Sequence, residues 1–134
     1  MEKNMKLSLI KTSTALAAVL AICSTALPVT DANAASIRVE CEKRANRSKI
    51  SVDGNNLIQG NYKAVVKSGS NTKTTALKAS TGDEIEFDFD SDPADVEAGA
   101  THIKRTFIQG NVTGKLLNDK GFVVISDTVS CRTK

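Results

Sequence analysis

Tryptophan is absent from this chain, methionine does not occur after residue 5, and the sequence holds one histidine (His102) and two prolines (Pro28 and Pro93). Each scarcity excludes something. With no thioether and one imidazole beyond the first residues, the chain lacks the soft ligand set of a copper carrier. Aromatic residues make up 4% of the chain. All of them (Tyr62, Phe87, Phe89, Phe107 and Phe122) sit in strand-like stretches and read as core. That leaves no stacking platform for nucleic-acid bases or sugar rings. There is no Gly-rich phosphate loop, no dinucleotide fingerprint and no Gly-x-Ser-x-Gly elbow, and a Ser-His-Asp triad would have to pass through His102. Paired carboxylates such as Glu84 and Glu86 can serve as acid and base, but a domain this small has little volume to spare for a cleft. The composition predicts a protein that is not an enzyme and does not bind nucleic acid.

The start of the chain has the form of an export leader. Lys3, Lys6 and Lys11 precede an apolar run from Thr14 to Leu27, Pro28 breaks it, and Ala32-Asn33-Ala34 supplies the small residues a signal peptidase accepts. The run is shorter than the roughly 20 residues of a membrane span. Cys23 raises lipidation as an alternative, but Ile22 stands before it where a small residue is expected. Residues 1–34 therefore read as a cleaved secretory signal. Residues 35–134 read as one mature domain without a membrane-spanning segment, destined for the periplasm or the medium.

Two cysteines, Cys41 and Cys131, remain in that domain, one near each end. Metal-binding cysteines usually come as close pairs, which these are not. In an oxidising compartment the pair implies a disulfide that closes nearly the whole domain.

Period-2 alternation recurs throughout the domain. "SIRVECEK" puts Ile37, Val39 and Cys41 on one face; "SKISVDG" offers Ile50 and Val52 and then a turn dipeptide, Asp53-Gly54. "NYKAVVKSG", a polar edge-like "TKTTALKAS", "DEIEFDFD" with Ile85, Phe87 and Phe89 inward, "HIKRTFI", "NVTGKLL" and "GFVVISDTVSC" follow. The pattern predicts an all-β protein: an antiparallel immunoglobulin-like β-sandwich of seven to eight short strands with one disulfide, its first and last strands adjacent. "LIQGNYKAVV" (57–66) resembles the Leu-x-x-Gly-x-Tyr-x-Ala-x-Val pattern that enters a strand in bacterial immunoglobulin-like and fibronectin-like domains. The resemblance implies that Gly60 takes a positive φ and that Tyr62 packs its ring while its hydroxyl finds a backbone partner. It speaks to fold and not to function. "IQGN" occurs at 58–61 and again at 108–111, which reads as reuse of one glycine turn chemistry.

Charge is unevenly distributed. "GDEIEFDFDSDPADVEAG" (82–99) holds eight carboxylates and no basic residue, while the rest of residues 35–134 has five acids against fifteen Lys and Arg. On a strand Glu84, Glu86, Asp88 and Asp90 share one face at about 7 Å spacing, too far apart to converge on one ion unless the backbone bends. A bend is available around Pro93. The stretch begins like an EF-hand loop, but Pro93 stands where the sharp turn needs Gly, and Gly99 stands where a bidentate Glu is needed. An irregular calcium site built from Asp90, Asp92, Asp95 and Glu97 remains as one expectation. The other is an acidic strand face paired with a basic neighbour, either the strand of Lys63 and Lys67 or the segment carrying Lys43, Arg44, Arg47 and Lys49. That basic segment is also a candidate for polyanions. The leading expectation is an exported, non-enzymatic β-sandwich that binds an unidentified protein or surface through loops or a strand edge, such as "TKTTALKAS" by β-augmentation. A small calcium-binding domain is the alternative.

Overall fold

The structure, a computed structural model, describes residues 34–134; the expected leader up to residue 33, Cys23 included, lies outside the described residues. Residues Ala34–Lys134 make one compact unit. Its strands are β1 (Ser36–Arg44), β2 (Arg47–Asn55), β3 (Asn61–Ser68), β4 (Asn71–Thr74), β5 (Lys78–Ala79), β6 (Ile85–Asp90), β7 (Thr101–His102), β8 (Val112–Asn118), β9 (Val123–Val129) and β10 (Arg132–Thr133), with one short helix, α1 (Pro93–Glu97). Seven of these strands are four residues or longer. The first sheet runs β10-β1-β2-β6-β7, and the second runs β9-β8-β3-β4 with β5 also pairing to β3. The pairs are antiparallel except at the first sheet's edges, where β10 runs parallel to β1 and β7 parallel to β6. Among the described residues no helix is long and apolar enough to cross a membrane.

Alternation builds the core, as the sequence predicts. Ile50 and Val52 of β2, Phe87 and Phe89 of β6, Ala64 and Val66 of β3 and Val112 and Leu116 of β8 are buried between the sheets. Tyr62 is buried, and its hydroxyl donates to the Ile58 carbonyl. Cys41 and Cys131 form the expected disulfide with Cα atoms 4.8 Å apart. Cys41 lies within β1, and β10 brings the last strand beside the first.

Four expectations are corrected. Asp53-Gly54 is not a turn, because β2 continues to Asn55. Gly54 is there for close approach between sheets: a Cβ on it would stand 2.5 Å from Leu116 Cδ1. Gly114 plays the same part in reverse, since its Cβ would meet Val39 Cγ2 at 2.7 Å. Second, "HIKRTFI" is a strand only at His102, where β7 ends. Ile103, Phe107 and Ile108 are buried as loop residues, anchored by side chains that take the place of a ladder. Lys43 Nζ donates to Ile108 O at 3.0 Å, Ser48 Oγ to Arg105 O at 2.8 Å and Asn71 Nδ2 to Phe107 O at 2.8 Å. Third, positive φ falls at Asn56 (57°) and not at Gly60. The two "IQGN" segments also differ in setting: Gly110 has φ 88°, while Ile58 is 86% exposed and Ile108 1%. They share letters and not turn chemistry. Fourth, Phe122 is not core; it is 67% exposed.

Candidate functional site

The two ends of the sandwich carry different chemistry. At the end formed by the β1–β2 hairpin, α1 and the 103–111 loop, the acidic and basic stretches meet. The antiparallel registers β1–β2 and β2–β6 place Arg38, Asp53 and Glu86 in one cross-strand row, then Glu40, Ser51 and Asp88, then Glu42, Lys49 and Asp90, with Arg44 opposite Arg47 beyond. The basic segment, and not the strand of Lys63 and Lys67, therefore faces the acidic strand. Those two lysines belong to the second sheet.

Arg47 sits at the focus of the carboxylates. Its Nε donates to Asp90 Oδ1 at 2.9 Å and its Nη2 to Asp90 Oδ2 at 2.7 Å, a bidentate pair. Nη2 also reaches Asp95, and Nη1 stands 3.7 Å from Asp92. Asp90 is almost fully buried. Its Oδ1 accepts from the Asp92 amide at 2.9 Å, while Asp92 caps α1 by accepting from the Ala94 amide at 2.9 Å. Burial pushes the Asp90 carboxyl upward, but the hydrogen bonds from Arg47 and from the Asp92 amide outweigh it and hold the carboxyl below its usual range. The same hydrogen bond to Asp90 raises the Arg47 guanidinium, which stays charged throughout.

Asp90, Asp92 and Asp95 are thus brought together as the sequence proposes for calcium, with a guanidinium at their centre. Glu97 ends α1 and is exposed. Among the described residues no group of three or more His, Cys, Asp and Glu is arranged to hold a metal ion. The remaining basic candidates also have local tasks. Lys43 holds the Ile108 carbonyl, Arg44 pairs with Glu42 at 3.1 Å, and exposed Lys49 borders an open groove of about 330 Å³ with Asp88, Asp90 and Asp95. Glu42, bonded also by Lys134 at 3.1 Å, is lowered chiefly through that bond. His102 is exposed beside Lys73 and Lys104 in a shallow recess.

The opposite end went unnoticed in the sequence. Among the described residues the exposed large hydrophobics are Ile58, Leu77, Phe122, Val123 and Val124, and the sheet register gathers them all there. Tyr62, Asn118 and Lys78 form one cross-strand row of the second sheet. Ile58 is tied to that row by the Tyr62 hydroxyl, and Phe122 by Asn118, whose amide donates to the Phe122 carbonyl at 3.0 Å and whose Oδ1 accepts from the Phe122 amide at 3.0 Å. Leu77 immediately precedes Lys78, and Val123 stands opposite Leu117, which stands opposite Lys63. The chain also enters β1 here, because Ser36 pairs with Asn55, next to the loop that carries Ile58. A signal existed. "FVVI" (122–125) is four consecutive apolar residues, and a strand can turn only alternate ones inward.

The second sheet's outer face differs in charge from the first's. Its cross-strand rows are Lys63-Leu117-Val123, Thr74-Val65-Lys115-Ser126 and Thr72-Lys67-Thr113-Thr128, three lysines without a carboxylate. The acids near the apolar end are Asp119 in the β8–β9 turn, Asp83 and Glu84 in the loop leading to β6, and Asp53 and Glu86, which line a groove with Glu84 and Lys78. The chain matches no family model, and no curated protein matches it significantly.

Proposed function

We propose that this protein is an exported, non-catalytic β-sandwich module that docks onto a partner surface with the end bearing Ile58, Leu77 and Phe122. One observation carries the reading: the exposed large hydrophobics of the described residues gather at a single end. Single exposed apolar residues are ordinary, whereas a cluster of them marks an interaction site. The disulfide supports an oxidising destination. The non-catalytic reading is supported by how the reactive groups are engaged. Asp90 is held by Arg47, Ser48 and Ser68 donate to the Arg105 and Asn111 carbonyls, and both cysteines are bonded to each other. The calcium reading would require an ion to displace Arg47 from Asp90, and so ion pairing is the better account of the acidic stretch.

Fractionation of the producing cell tests the docking end. The wild-type chain is expected partly in the envelope-bound fraction, and Ile58→Ser with Phe122→Ser should shift it to the free fraction without changing its unfolding temperature. An unchanged distribution for the double variant contradicts the proposal.

A further inference from the structure

Resting on that reading, we propose that the partner surface is an anionic lipid bilayer, with the tips of the β2–β3 and β8–β9 loops inserted at the headgroup–acyl boundary.

The form of the cluster favours lipid. Ile58 is 86% exposed and Phe122 67%, and they project from two different connections, while Leu77 comes from a third. Separate protruding tips make a poor flat interface for a folded partner but suit a fluid one that closes around each side chain. Interfacial binding combines such apolar contact with basic residues at headgroup depth. Lys63 lies in the row of Leu117 and Val123, and Lys120 lies two residues before Phe122, whereas Lys78 is turned to the first sheet, its Nζ donating to the Glu86 carbonyl at 2.6 Å. Lys67 and Lys115 extend the positive field along the second sheet, whose outer-face rows hold no acid. Asp83 lies beside the Ile58 tip, its carbonyl accepting from the Leu57 amide at 3.0 Å, so the basic side of the surface is the outer face of the second sheet and the Phe122 tip. Asp119 stays at the tip and opposes one lysine.

Vesicle co-sedimentation of the oxidised, exported protein tests the inference. Vesicles of equal parts phosphatidylglycerol and phosphatidylcholine are compared with phosphatidylcholine alone. Binding to the anionic vesicles is expected, weakening with salt. Each of Lys63→Gln and Lys120→Gln should reduce partitioning about fivefold, and Ile58→Ser with Phe122→Ser should reduce it at least tenfold. Equal binding by the double variant, or none by the wild type, overturns the lipid assignment. If binding to vesicles is absent while envelope retention still depends on Phe122, the docking end stands and its partner is a protein. A dimer in sedimentation without vesicles that Phe122→Ser dissociates would assign the end to a second copy of this chain.

Discussion

The end of the sandwich built around Arg47 and the end built around Phe122 are opposites in how their side chains are satisfied. At the first, a guanidinium is shared among three carboxylates, a cap closes α1, and Lys43 and Ser48 satisfy the carbonyls of a loop that has no ladder. At the second, five large apolar side chains remain in solvent. The contrast teaches where to look for function in a small sandwich. A dense charge pattern draws the eye, yet it holds the chain together, while an unremarkable apolar run is left over after the core is complete.

Six changes sharpen that contrast, taken from the largest expected effect downward. Replacing Cys41 and Cys131 by Ser removes a clamp that spans a sequence separation of 90. The loss should be about 4–5 kcal/mol in chemical unfolding if chain entropy dominates. Arg47→Met leaves buried Asp90 without its partner and should cost roughly 3 kcal/mol or more, as for a broken buried pair. Gly114→Val forces a side chain against Val39 and Val52 and should cost about 1–3 kcal/mol; Gly54→Ala should cost less, since the atom it meets is the end of the Leu116 side chain. Ile58→Ser and Phe122→Ser should each alter stability by about 0.5 kcal/mol or less, because surface changes away from special features do little.

The pH dependence has a definite sign. Asp90 is depressed in the folded state. Its contribution is therefore fully present above the unfolded carboxylate value and is lost as pH falls through the folded one. Acid unfolding of the wild type should show this loss, and Arg47→Met should shift the acid transition to higher pH. An unshifted transition would mean that Arg47 does not hold Asp90. Thermal unfolding in calcium and in chelator separates the ion-pair account from the metal account. Coincident curves are expected; a calcium-specific rise abolished by Asp92→Asn would place an ion where the guanidinium stands.

Much of the architecture was legible in the residues, and for identifiable reasons. Alternation reports burial directly, so Ile50, Val52, Phe87 and Phe89 were readable as core. Two cysteines beyond the expected leader, far apart in sequence, pointed to their own bond. The errors fell where tertiary contact overrides local signals. Asp53-Gly54 resembles a turn, but its glycine makes room for Leu116 across the core. The "HIKRTFI" segment alternates like a strand, yet Ser48 and Lys43 hold it as a loop from a distant hairpin. The convergence of Asp90, Asp92 and Asp95 was visible from the bend at Pro93. The group at their centre was not, because Arg47 reaches them only through the β2–β6 register. The apolar end was missed because each residue was judged within its own strand, and its exposure appears only when three connections are brought side by side.

Footprinting of the full chain in the envelope fraction of the producing cell, compared with the same chain released from it, tests the two ends in one measurement. Protection is predicted at Ile58, Leu77 and Phe122, with Asp92 and Asp95 unchanged. Protection confined to Asp92, Asp95 and the α1 segment, with the apolar end as reactive as in the released chain, would contradict the assignment of docking to that end.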